Sequence, residues 1–109
     1  MKEPIAISRK GILMEDDSSD LVQLVLFITG SSPRAEEAVN QLKEACQEAL
    51  NDKFELEIID VLQTPDIAEK FKVLATPTVV KKLPSPAKRL VGDLSDKNQL
   101  IYALDLRDG

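Results

Sequence analysis

Few side chains in this chain are suited to covalent chemistry. It has no histidine and one cysteine, Cys46. That removes the commonest general base, the commonest zinc ligand and any intrachain disulfide. Cys46 also falls on a repeating apolar stripe with Ala38, Leu42, Ala45 and Ala49, where a thiol acts as a small hydrophobe rather than a nucleophile. Asp60, Asp66 and Glu69 lie close in sequence and could converge, but carboxylates at strand and helix ends are usually solvated or capping. Gly30-Ser31-Ser32 ahead of a helix could cradle an anion, yet it lacks the spacing of a phosphate-binding loop or dinucleotide fingerprint. Neither serine has a base in reach. The expectation is a protein that is not an enzyme and carries no cofactor or metal.

What remains is charge. Lys70, Lys72, Lys81, Lys82, Lys88 and Arg89 gather in the second half of a chain whose net charge is -5. The bland reading is a solvated face. The functional one is a docking surface for an acidic protein partner. Acidic residues spread along the chain argue against nucleic acid as the main partner, which requires a basic face. No apolar run approaches the ~20 residues of a membrane helix. Lys2, Glu3 and the mixed stretch after them do not make a signal peptide, so a cytoplasmic location is expected.

The elements that must position these charges read as one domain of 109 residues,. Residues 1–20 show no sustained period, and Glu15-Asp16-Asp17-Ser18-Ser19-Asp20 reads as a flexible, solvated tail. Ile12-Leu13-Met14 could dock but makes no element. Residues 21–28 form a nearly continuous branched apolar run, a strand buried on both faces. Ser32 is a candidate N-cap and Pro33 suits a first helical turn, with Glu36 and Glu37 complementing the dipole. Apolar residues at three- and four-residue steps then predict a long helix over 33–50. Residues 54–62 predict a second strand, and strand, helix, strand in this order is a right-handed βαβ unit with parallel strands.

The second half reads as a short helix from Thr64-Pro65-Asp66, a strand over 78–83, a stiff Pro84-Ser85-Pro86 link and a short strand over 87–91 ended by Gly92-Asp93. A final segment over 96–106 is capped by Ser95. Thr76-Pro77 sits where proline is tolerated, at the start of a strand; frequency alone favours its trans isomer. The last segment satisfies both periods, with Leu100 and Leu104 aligned as a helix, or Leu100, Tyr102, Leu104 and Leu106 as a strand. Propensity favours helix. The expected order is βαβαββα, a mixed α/β sheet with helices on both faces.

That order, with Thr-Pro before a strand, is the thioredoxin plan. Thioredoxins open the first helix on a Cys-x-x-Cys pair, where the helix N-terminus lowers a thiol pKa. Here Ser31-Ser32-Pro33-Arg34 stands there, which rejects redox catalysis. Several stretches together resemble the KaiB family: Leu26-Phe27-Ile28-Thr29-Gly30, Ile59-Asp60-Val61-Leu62, Pro65-Asp66-Ile67-Ala68-Glu69, Leu74-Ala75-Thr76-Pro77-Thr78, Gly92-Asp93-Leu94-Ser95-Asp96 and Leu104-Asp105-Leu106. The resemblance runs from about Leu24 to Leu106.

The resemblance implies a non-catalytic, metamorphic regulator with two folds, a rare switching mode. One is a tetrameric ground state of order βαββααβ; the other is a thioredoxin-like monomer that binds the KaiC ATPase ring, competes with the sensor domain of the kinase SasA and captures KaiA. Thr76, Pro77, Gly92, Asp93, Ala103 and Asp105 are then the fold-determining positions. Ala103 replaces a family glycine, which favours a helix by about 0.8–1 kcal/mol. Val22 and Asp108 replace family tyrosines, so the chain is expected to rest in the thioredoxin-like state as a monomer, a homotetramer being the alternative. Glu37, Asn40 and Glu57 stand where the clock proteins tend to carry basic residues, while Lys72 is retained. Such reversals count against KaiA capture. The alternative function is a stand-alone SasA-like adaptor for a kinase or stress-response partner.

Overall fold

The computed structural model describes residues 21–107; the expected tail over 1–20 and position 108 lie outside them. Within that span the elements are β1 (Val22–Ile28), α1 (Pro33–Leu50), β2 (Phe54–Asp60), α2 (Pro65–Lys70), β3 (Thr78–Leu83), β4 (Lys88–Val91) and α3 (Lys97–Ala103). This is the expected βαβαββα order. The four strands form one sheet in the order β2-β1-β3-β4. β1 runs parallel to β2 and antiparallel to β3, and β3 and β4 form an antiparallel hairpin.

β1 is the centre of the molecule because both of its faces are covered. Val22, Leu24 and Leu26 join Val79 against Ala38, Leu42, Ala45 and Cys46 of α1 and Leu100 of α3. Val25 and Phe27 turn the other way, with Ile59 and Val80, onto Ala68 of α2. A strand with two buried faces must be largely apolar, which is why, after the half-buried Gln23, its sequence does not alternate,. Phe27 is fully buried and its ring tilts at 53° to Phe71, with centroids 5.3 Å apart. Burying a side chain of this kind contributes ~1.5–3 kcal/mol.

α1 starts as expected, with Ser32 Oγ accepting from the Ala35 N–H at 3.1 Å and Pro33 in the first turn. Two expectations need correction, and one open point, the isomer of Thr76–Pro77, is decided. β2 ends at Asp60 rather than Leu62, because the Asp60 carboxylate and carbonyl draw the next residues into a turn: Leu62 N donates to Oδ1, while Gln63 N and Thr64 N donate to the carbonyl. The cap of α3 is Asp96, not Ser95; its carboxylate accepts from Asn98 N and Gln99 N, while Ser95 donates instead to Asp93. The Thr76–Pro77 peptide is cis, as are Leu83–Pro84 and Ser85–Pro86.

Two helix ends share one device. After α2, Lys72 N donates to Glu69 O and Val73 N to Ala68 O, with Lys72 at φ 57°. After α3, Asp105 N donates to Tyr102 O and Leu106 N to Ile101 O, with Asp105 at φ 55°. Both are Schellman endings, whose left-handed residue is usually glycine. The second ending resolves the ambiguous segment as helix and buries Leu104 and Leu106 in the core.

Candidate docking face

The loops after β1 and β2 and the segment before β3 converge at one end of the sheet. They enclose an open groove of about 760 Å³, walled by Thr29, Val61, Pro65, Glu69, Lys72 and Leu74 among others. Its loops are cross-linked. Thr29 and Thr76 share a 2.6 Å hydrogen bond between hydroxyls. Asp60 Oδ1 accepts from Gly30 N at 3.0 Å as well as from Leu62 N at 2.9 Å. Thr78 Oγ1 donates to the Ala75 carbonyl at 2.6 Å, and Gly92 N donates to the Pro77 carbonyl at 3.0 Å. Thr76, Pro77 and Gly92, expected to determine the fold, thus sit on one connected rim.

The six basic residues separate. Lys72 is exposed on the groove wall, with Lys70 exposed at the end of α2. Arg89, opposite Val80 in the β3–β4 register, reaches back to α2, donating to Phe71 O at 2.6 Å and Lys72 O at 3.3 Å. Lys82 is exposed near the end of β3. Lys81 is different: it is 2% exposed, so it does not belong to a cationic surface. Its neighbour in register, Lys88, is exposed and shares its sheet face, the face opposite α2. There the Arg107 guanidinium beside Asp105, supported by Lys81 and Lys88, holds the Asp105 carboxyl below its usual range. Asp93 is likewise lowered, chiefly by the Ser95 hydroxyl and N–H. Ala103 lies at the last helical position of α3.

Sequence reading missed two exposed leucines, one on the groove wall and one beside it. Leu74 is 97% exposed and Leu62 is 68% exposed. The available signal was a leucine in each of two turn segments, outside any helical or strand stripe. Glu37, Asn40 and Glu57 are exposed as well.

Chemically the site offers contact surface. At the N-terminus of α1 the position of a redox pair is held by exposed Ser31 and the capping Ser32. Cys46 is fully buried in the core, and burial pushes its thiol up to about 12. Asp60, Asp66 and Glu69 do not converge, and among the described residues no three carboxylate or thiol groups come together as a metal site. Nor is any helix among them long and apolar enough to cross a membrane.

Comparison with known proteins agrees with this geometry. Residues 25–106 match the family model described as the KaiB domain. The circadian clock protein KaiB3 of Synechocystis sp. is 42% identical over 85 residues, covering 78% of this chain and 83% of that protein. The circadian clock oscillator protein KaiB of Prochlorococcus marinus subsp. pastoris is 43% identical over 83 residues, covering 76% and 78%. Among solved structures, the N-terminal domain of Synechococcus elongatus SasA aligns with a TM-score of 0.65 at 25% identity, covering 100% of this chain and 96% of that one. Chloroplastic thioredoxin z aligns with a TM-score of 0.65 at 23% identity over 81% and 79%, a likeness of fold alone. With a thioredoxin-like sheet, serines where redox cysteines would stand and this identity over most of its length, the chain belongs to the KaiB family.

Proposed function

We propose that this chain is a non-catalytic regulator in a circadian or clock-derived timing system, binding a KaiC-type ATPase ring in the cytoplasm through the face that carries Lys72. The observation that supports it is the groove itself. An exposed cation and an almost fully exposed leucine, Lys72 and Leu74, stand on cross-linked loops at the end of a thioredoxin-like sheet. A surface of that kind suits a partner with apolar and acidic groups. Lys70 adds positive charge at the end of α2, and Arg89 acts from behind by holding the Lys72 carbonyl.

The test is capture by a nucleotide-loaded KaiC-type ATPase. Lys72→Glu is expected to abolish capture and Lys2→Glu to leave it unchanged; equal loss in both variants would refute the face. The exposed acids Glu37 and Glu57 count against capture of a KaiA-like protein,. A second reading draws on the likeness to the SasA N-terminal domain across the whole chain: a stand-alone adaptor for a kinase. Binding to a kinase without binding to any KaiC-type ring would select it.

A further inference from the structure

Resting on that docking reading, we propose that Asp60 is a positioning residue: it makes the face without meeting the partner. One oxygen, Oδ1, accepts from the backbone N–H groups of Gly30 and Leu62, which belong to two different loops. The Asp60 carbonyl accepts from Gln63 N, Thr64 N and the Thr64 hydroxyl, which fixes the turn as a whole. A carboxylate shared by two N–H donors is a charge-assisted clamp. Its effect is to hold Leu62 in solvent beside Val61, packed against the Gly30 backbone. A Cβ built on Gly30 would lie 3.6 Å from Leu62 Cδ1. The Thr29–Thr76 bond carries the constraint on to the segment bearing Leu74.

The clamp therefore fixes exposed Leu62 next to Val61 of the groove wall, while Leu74 stands on the wall itself. Large apolar side chains left in water at such a site are anchors for a partner's apolar side chain. A partner pays less ordering entropy when both anchors are already held. Nothing else in the fold requires Leu62 to be leucine, since it packs into neither side of the core.

The experiment compares Asp60→Ala, Asp60→Asn and Asp96→Ala. The last removes the N-cap of α3 and serves as a destabilised control on a different element. In the free Asp60→Ala protein the Gly30 and Leu62 amides are expected to lose protection from hydrogen exchange. Affinity for a nucleotide-loaded KaiC-type ring should fall by about tenfold. Asp60→Asn keeps an Oδ1 acceptor and should retain most of both properties, and Asp96→Ala should leave both unchanged. Gly30 and Leu62 amides that exchange no faster in Asp60→Ala overturn the proposal whatever the ring does. So does a loss of affinity no greater than that of Asp96→Ala. A wild-type chain that binds no ring would instead sink the docking reading, and amide exchange alone would then decide the role of Asp60.

Discussion

Arg89 Nη2 lies 2.6 Å from the carbonyl oxygen of Phe71 and donates to it, tying edge strand β4 to the end of a six-residue helix. So short a helix cannot hold itself in water, and its last carbonyls lack helical partners. Arg89→Ala is expected to cost about 1 kcal/mol in urea unfolding. It should also weaken ring binding, because the Lys72 carbonyl loses the Arg89 Nη1 donor. Arg89→Lys should recover little, since an ammonium cannot fork across two carbonyls. Unchanged stability in both variants would contradict this assignment.

Cys46 supplies a pH prediction. Burial raises its pKa to about 12 in the folded chain, against ~8.5 for an exposed thiol. The protonated form is the one the fold favours, so its contribution is fully present below the unfolded value. It is lost as pH rises from about 9 toward about 12. A thiol reagent at pH 8 should leave native protein unmodified and react stoichiometrically in denaturant. Rapid labelling of the native protein would place Cys46 outside the core.

The βαβ half was legible because its signals agree. A two-sided apolar run makes β1, and Ser32-Pro33 followed by a three-four stripe makes α1. The second half was harder for identifiable reasons. Lys81 reads as a surface cation, but the strand period places it opposite Lys88 beneath the α3 ending, where its stem is buried. Ser95 and Asp96 are both good caps, and Asp93 takes the serine away. The proposed docking face was half visible: Lys72 stood out by charge. Leu62, Leu74 and the Asp60 clamp depend on three loops meeting, which no local pattern encodes.

Ala103→Gly tests what keeps the last segment helical. Glycine there costs α3 about 0.8–1 kcal/mol, while the core contacts of Leu100, Leu104 and Leu106 remain available. Amides of Leu104 and Leu106, donors to the α3 carbonyls of Leu100 and Ile101, should exchange several-fold faster. Light scattering should find a monomer in the wild-type chain; a stable tetramer would contradict the monomeric state expected from the sequence. Undiminished protection in the variant would shift the cause from helix propensity to the Asp105 ending.

Lys72→Gly separates folding from docking. Lys72 occupies φ 57°, a conformation that costs a residue with a Cβ roughly 1 kcal/mol or more. Glycine relieves that cost and returns part of it as unfolded-chain entropy. The net expectation is a protein more stable by a few tenths to about 1 kcal/mol. The two Schellman bonds use only backbone groups, so the loop should keep its shape. Yet the exposed ammonium on the groove wall is gone, and ring binding should fall as it does for Lys72→Glu, though less steeply because no repulsion is added. Higher stability with weaker binding can come only from a residue retained for its contact. Binding equal to wild type would show that Leu62 and Leu74, not the cation, supply the affinity of this face.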